Sequence, residues 1–204
     1  MNLTKLFETQ RELDAKILLQ KGLGGQNLLD KKILALQVEL GELANEWQMF
    51  KFWKEDREPI TEYRLKCPNG CYYGEIRSLK GVSCCDKCGG DGYITTNPLL
   101  EEYVDCLHFI LSIGLELDPE IGACAVEPHI YDEESITNQF IELNYQAYLV
   151  IKDYEYKKYV IGAWFTLLDL FAGLGQMLGF TWEQIEQAYF AKNKINFERQ
   201  ANGY

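Results

Sequence analysis

Two short carboxylate pairs, each beside an apolar helical stripe, set the terms on which this chain can fold. Glu39 and Glu42 lie in Leu36-Gln-Val-Glu-Leu-Gly-Glu-Leu-Ala, and Glu102 and Asp105 lie in Leu99-Leu-Glu-Glu-Tyr-Val-Asp. Three helical positions turn through about 300°, so the two carboxylates of each pair leave nearly the same face. Leu36, Leu40, Leu43 and Ala44 flank the first pair, and Leu107, Ile110, Leu111 and Leu115 continue behind the second. Both pairs therefore point toward an interior. About four negative charges in a bundle interior are tolerated only with cations among them. Oxygen-only ligands select hard ions, Mg²⁺ or Mn²⁺.

The rest of the pattern is helical. Leu3, Leu6, Phe7, Leu13 and Ile17 mark a first helix over 3–20, stopped by the glycines of Lys21-Gly-Leu-Gly-Gly. A second helix starts near Leu28 and carries Leu34, Leu36, Val38, Leu40, Leu43, Ala44, Trp47 and Phe50 as far as about Lys54. Asn97-Pro98 opens a third helix running to about Leu117, closed by Asp118-Pro119. After a connection over 118–132, helices are expected at Glu134–Lys152 and Lys157–Met177, the latter apolar nearly all round. Thr181-Trp-Glu-Gln184 is a capping box for a last helix from Trp182 to about Arg199. The expected fold is an all-α helical bundle, formed by 1–55 and 96–204.

Residues 56–95 break this texture with charged and glycine-rich sequence and read as an insertion with its own small fold. Five of the seven cysteines fall between 67 and 88. Cys67-Pro-Asn-Gly-Cys71 and Cys85-Asp-Lys-Cys88 have the spacing of a structural Zn²⁺ site, with Cys84 a competitor for Cys85. The pattern faintly resembles the zinc modules of DnaJ-type chaperones. A segment this small has too little core to fold unaided, so the metal would supply its stability.

The net charge of −11 argues against a nucleic-acid backbone or an anionic membrane as partner. A phosphorylated small ligand is compatible if cations stand between acid and phosphate. No basic leader and no apolar run of about 18 residues is visible, so a cytoplasmic protein is expected. A metal cluster in a helical bundle suits pyrophosphate chemistry, because divalent ions bridge phosphate oxygens. Lys192, Asn196 and Arg199, at spacings of four and three, would complete a phosphate site.

Four segments in order carry a resemblance. Gln10-Arg-Glu-Leu-Asp14, Glu39-Leu-Gly-Glu42 with Phe50-Lys-Phe-Trp-Lys54, Glu102-Tyr-Val-Asp-Cys-Leu-His-Phe-Ile-Leu-Ser112 and Lys192 to Tyr204 resemble the dimeric all-α dUTPases. These belong with the MazG-like nucleotide pyrophosphohydrolases, and phage and bacterial types are among them. The resemblance implies Mg²⁺ ligands at Glu39, Glu42, Glu102 and Asp105, with Glu39 also deprotonating the attacking water. It implies a phosphate clamp of Lys192, Arg199 and Tyr204, and base or sugar contacts from Gln10, Trp53, Phe109 and Asn196, with His108 lining the same pocket. Leu13 and Asp14 depart from the family, since relatives can carry a polar base contact there. The implied reaction is dUTP and water to dUMP and pyrophosphate, with dUDP as a second substrate, in a homodimer. A dCTP or broader NTP pyrophosphohydrolase would use the same cage. A non-enzymatic alternative makes the insertion the docking surface of a regulatory protein.

Overall fold

The computed structural model describes residues 3–71, 75–78, 81–122 and 127–203. Six α-helices occur among them: α1 (Leu3–Lys21), α2 (Leu29–Trp47), α3 (Pro98–Leu117), α4 (Ile136–Glu155), α5 (Val160–Met177) and α6 (Trp182–Ala201). The described strands all fall between α2 and α3: β1 (Tyr63–Lys66), β2 (Glu75–Ser78), β3 (Gly81–Cys84) and β4 (Tyr93–Thr96). The chain divides into two compact units, Met1–Asn45 with Leu100–Tyr204, and Glu46–Leu99.

The first unit is an all-α bundle. α1 packs on α6, and α4 pairs with α5 as a hairpin. Ser135 caps α4 through Asn138 N–H, and the expected capping box at Thr181 and Gln184 opens α6. The connection after α3 is tied down by the buried Gln139, whose Nε2 donates to the carbonyls of Tyr131 and Leu170. α3 is the most inward-facing segment, with Tyr103, Val104, Cys106, Leu107, Ile110, Leu111 and Ile113 all buried.

Trp164 of α5 is fully buried, and its indole N–H donates to the Ile110 carbonyl at 2.9 Å. The ring lies so close to α3 that a Cβ at Gly114 would stand 2.7 Å from it. α5 spans 18 residues at a mean hydropathy of 1.4, long and apolar enough to cross a bilayer, which the linear pattern did not suggest. Its apolar residues are instead the bundle core, Trp164, Leu167, Leu168, Leu170, Phe171 and Leu174 being buried.

Two expectations about α2 need correction. The helix ends at Trp47 rather than near Lys54, because Gln48 takes a left-handed φ of 59°. The turn is fixed by Gln48 Nε2 donating to the Glu58 carbonyl and by Lys54 Nζ donating to Gln48 Oε1. The apolar positions also do not form one stripe. Leu29, Ile33, Leu36, Leu40, Leu43 and Trp47 are buried, whereas Leu34 and Val38 are 63% and 52% exposed on another face.

In the second unit β1 pairs antiparallel with β4, Tyr63 opposite Thr96 and Lys66 opposite Tyr93, and β2 pairs antiparallel with β3. Each is a two-stranded ribbon. Such ribbons are marginal alone.

Candidate active site and cysteine cluster

In the bundle, α2 and α3 bring Glu39, Glu42 and Glu102 together, one carboxylate oxygen from each lying within 4.8 Å of the others. The fourth expected member stands apart from this group. Asp105 Oδ2 accepts a hydrogen bond from Lys192 Nζ of α6, an ion pair between largely buried side chains. The cage is thus three pooled carboxylates with Asp105 beside them, its charge answered by the cation that the sequence reading gave to the phosphate clamp. Burial pushes the Glu39 carboxyl up to about 7, helped by Asp105 and Glu42 and opposed by Lys192. Glu102 is likewise raised to about 7 by burial and then by Asp105. Asp105 is raised by burial against the pull of Lys192. At about 7, Glu39 and Glu102 are half-protonated at neutral pH unless a cation replaces the proton, and a donor set made only of oxygens fits a hard divalent ion.

Beside the cluster is a cavity of about 210 Å³. Glu39, Asp105 and Arg199 line it together with Gln10, His108, Phe109 and Asn196, so it gathers seven of the expected site residues. Trp53 belongs to the other unit, in the turn after α2, 64% exposed and set edge-on to Phe50 and Phe52. Tyr204 lies outside the described residues.

A hydrogen-bond network backs the cavity. Gln10, 3% exposed, accepts at Oε1 from Tyr189 Oη at 2.8 Å and lies 2.7 Å from His108 Nδ1. Gln10 Nε2 donates to Asp14 Oδ1 at 2.7 Å, and Ser112 Oγ donates to Asp14 Oδ2 at 2.6 Å. Because Gln10 offers His108 an oxygen, the imidazole must carry its proton on Nδ1. Burial, then Lys192, lowers the His108 pKa to about 3, so the ring is neutral. It stacks on Tyr189 with centroids 4.1 Å apart. The network residues Asp14, Ser112 and Tyr189 were not assigned roles from sequence. A legible signal existed in two i, i+4 polar pairs on apolar helices, Gln10 with Asp14 and His108 with Ser112.

In the second unit the Sγ atoms of Cys67, Cys71, Cys85 and Cys88 all lie within 4.8 Å of one another. Cys67 to Cys85 is 3.7 Å and Cys71 to Cys88 is 3.6 Å. Four thiolates around a tetrahedral ion with bonds of about 2.3 Å stand about 3.8 Å apart, so these thiols are placed to bind such an ion. Cys84, the competitor for Cys85, is exposed and outside the cluster, whereas Cys85 lies within it. Backbone N–H groups of Cys88 and Lys87 draw the Cys85 thiol down to about 6, and burial with the neighbouring sulfurs pushes Cys71 up to about 12.

No curated protein matches the chain. A family profile described as dUTPase matches residues 2–66 and 91–204, leaving out the segment that holds the cysteine pairs. The matched residues include α1, α2, α3 and α6, which carry every side chain of the carboxylate cluster and its cavity. With most of its length covered by that profile and a helical bundle to match, the chain belongs to the dUTPase family, enzymes that hydrolyse dUTP.

Proposed function

We propose that the chain is a Mg²⁺-dependent pyrophosphohydrolase that converts dUTP to dUMP and pyrophosphate and accepts dUDP as a second substrate. The observation that carries this reading is the pooling of Glu39, Glu42 and Glu102 at the edge of a cavity lined by Gln10, Phe109 and Asn196. Mg²⁺, when held by these carboxylates and Asp105, supplies Lewis-acid polarisation of the phosphate chain. Glu39, half-buried and raised to about 7, is suited to take the proton of the attacking water near neutral pH. Lys192 would exchange Asp105 for substrate phosphate, joined by Arg199 and Tyr204. Phe109 packs against base and sugar and crowds the 2′ position, and the family resemblance alone makes Trp53 a base contact. Asn196 hydrogen-bonds the uracil edge. Gln10 has only one amide hydrogen left after its three partners, so it can add a single contact there.

A dNTP panel with Mg²⁺ tests the reading: dUTP should be preferred, with dTTP excluded by its C5 methyl group. Asp14 in the cavity wall accepts hydrogen bonds and so favours an amino group on the base, which makes dCTP the competitor to include. Preference for dCTP would overturn the uracil assignment and leave the metal site standing.

The raised carboxyls predict a pH dependence of stability. Their folded value of about 7 exceeds the ordinary 4.5, so between these values the folded chain binds more protons than the unfolded one. Metal-free protein should therefore lose stability as pH rises from about 4.5 through 7. In metal-depleted buffer, Glu102→Gln should gain thermal midpoint relative to wild type near pH 8 and gain little near pH 5. Equal gains at both would remove the carboxyl repulsion from the account. Added Mg²⁺ should restore the wild type at the higher pH.

Residues 56–95 form, on this reading, an insertion in the body made by 1–55 and 96–204, held by Zn²⁺ at Cys67, Cys71, Cys85 and Cys88. The protein acts as a homodimer. Supporting this, α2 exposes Leu34 and Val38 and α4 exposes Ile141, Tyr145 and Tyr148, while Gln37 of α2 reaches the Asn144 carbonyl of α4 between them. An exposed apolar face of this kind marks an interface. Val38→Glu with Tyr145→Glu should halve the mass seen by sedimentation velocity; an unchanged mass would place the interface elsewhere.

A further inference from the structure

We propose that the cysteine cluster braces the two carboxylate-bearing helices, setting the affinity of the bundle for its divalent ion through the backbone of Ile60. The proposal rests on the zinc reading above. α2 and α3 carry Glu42 and Glu102, and the second unit holds the end of one helix and the start of the other. Ile60 N–H donates to the Glu46 carbonyl in the last turn of α2, at 2.9 Å. Ile60 C=O accepts from Leu99 N–H in the first turn of α3, at 3.1 Å. One residue thus ties two helix ends together, about one turn from Glu42 and one turn from Glu102.

What holds Ile60 in place follows it directly. Three residues on, β1 begins its ladder with β4, which ends two residues before Pro98 opens α3. The ladder runs on into the metal-ligand cluster: Cys67 N–H donates to the Gly92 carbonyl at 2.9 Å, and Gly92 N–H points at Cys88 Sγ at 3.3 Å. Arg64 Nη2 of β1 adds an ion pair to both carboxylate oxygens of Asp91, two residues before β4, at 3.0 and 2.8 Å. The ribbon has little core, its β1 residues all being exposed, so without the metal the strands have few contacts to keep them in register. A loose ladder frees Ile60, and freeing Ile60 lets the two helix ends part. The carboxylates then pool less closely and bind the hard ion more weakly.

The test reads metal binding without turnover. Zinc content is measured by atomic emission and Mn²⁺ binding by electron paramagnetic resonance, on the full chain without substrate. Wild type and Cys84→Ser, whose thiol is outside the cluster, should carry one zinc per chain and share one Mn²⁺ affinity. Cys88→Ser should lose the zinc. Ile60→Pro should keep zinc but lack the N–H that reaches Glu46. Both should weaken Mn²⁺ binding about fivefold, the worth of one hydrogen bond, with helical circular dichroism retained. Wild type free of zinc would overturn the zinc reading. Unchanged Mn²⁺ affinity in helical Cys88→Ser and zinc-loaded Ile60→Pro would overturn the brace and leave the zinc site intact.

Discussion

Glu39→Gln should lower kcat for dUTP by about a thousandfold while leaving the helical circular dichroism spectrum unchanged, since a positioned general base contributes about 10²–10⁴. The substitution keeps the shape of the side chain and removes both its charge and its ability to take a proton. It also removes one member of a repelling group, in which Asp105 and Glu42 both push Glu39 upward. The metal-free variant should for that reason be at least as stable as wild type at neutral pH. Lost activity with preserved or raised stability separates a chemical role from a structural one. A kcat within tenfold of wild type would take Glu39 out of the proton transfer and leave it only as a ligand.

The largest expected loss of stability is at Trp164→Ala, about 3–5 kcal/mol for truncating a buried aromatic side chain. The indole is fully buried, bonds the Ile110 carbonyl and packs against Phe7 and Phe165 with centroids 6.0 and 5.0 Å away. Its removal opens a void between α3 and α5 and takes away the second donor of the Ile110 carbonyl, which keeps its helical bond. For a chain of this size the thermal midpoint should fall by about 10 °C. A fall under about 3 °C in a circular dichroism melt would mean that α3 and α5 close the gap. Gly114 faces the same ring, so the two helices are spaced by a large residue on one and the smallest on the other.

Local features were legible in the linear pattern. The helix stops at Gly22 and Pro119, the cap at Thr181 and the i, i+3 carboxylates depend on residues within a turn or two of each other. Cys85 over Cys84 also followed from short-range spacing. The features that escaped are set by distant partners or by backbone choices that side-chain type does not dictate. Asp105 and Lys192 are 87 positions apart, and nothing near either one announces their pairing. Gln48 has no compositional claim to a left-handed φ; it is held there by Glu58 and Lys54. Leu34 and Val38 are as apolar as Leu36 and Leu40, and only the packed bundle shows which pair faces out.

The pairing of β1 with β4 also bears on how such an enzyme can acquire extra sequence. The dUTPase profile stops at residue 66 and resumes at 91, which are the two sides of the ladder's open end. Chain leaving the host at one strand returns at its hydrogen-bonded neighbour, so the added segment spans no distance. Cys67 and Gly92 already stand as partners, and a two-residue Asn-Gly turn between them would close the ribbon as an ordinary hairpin. The cysteine-bearing segment is in this sense a graft on a hairpin tip. Evolution or a designer can lengthen or exchange it there, so long as the ladder that leads back to Ile60 keeps its register.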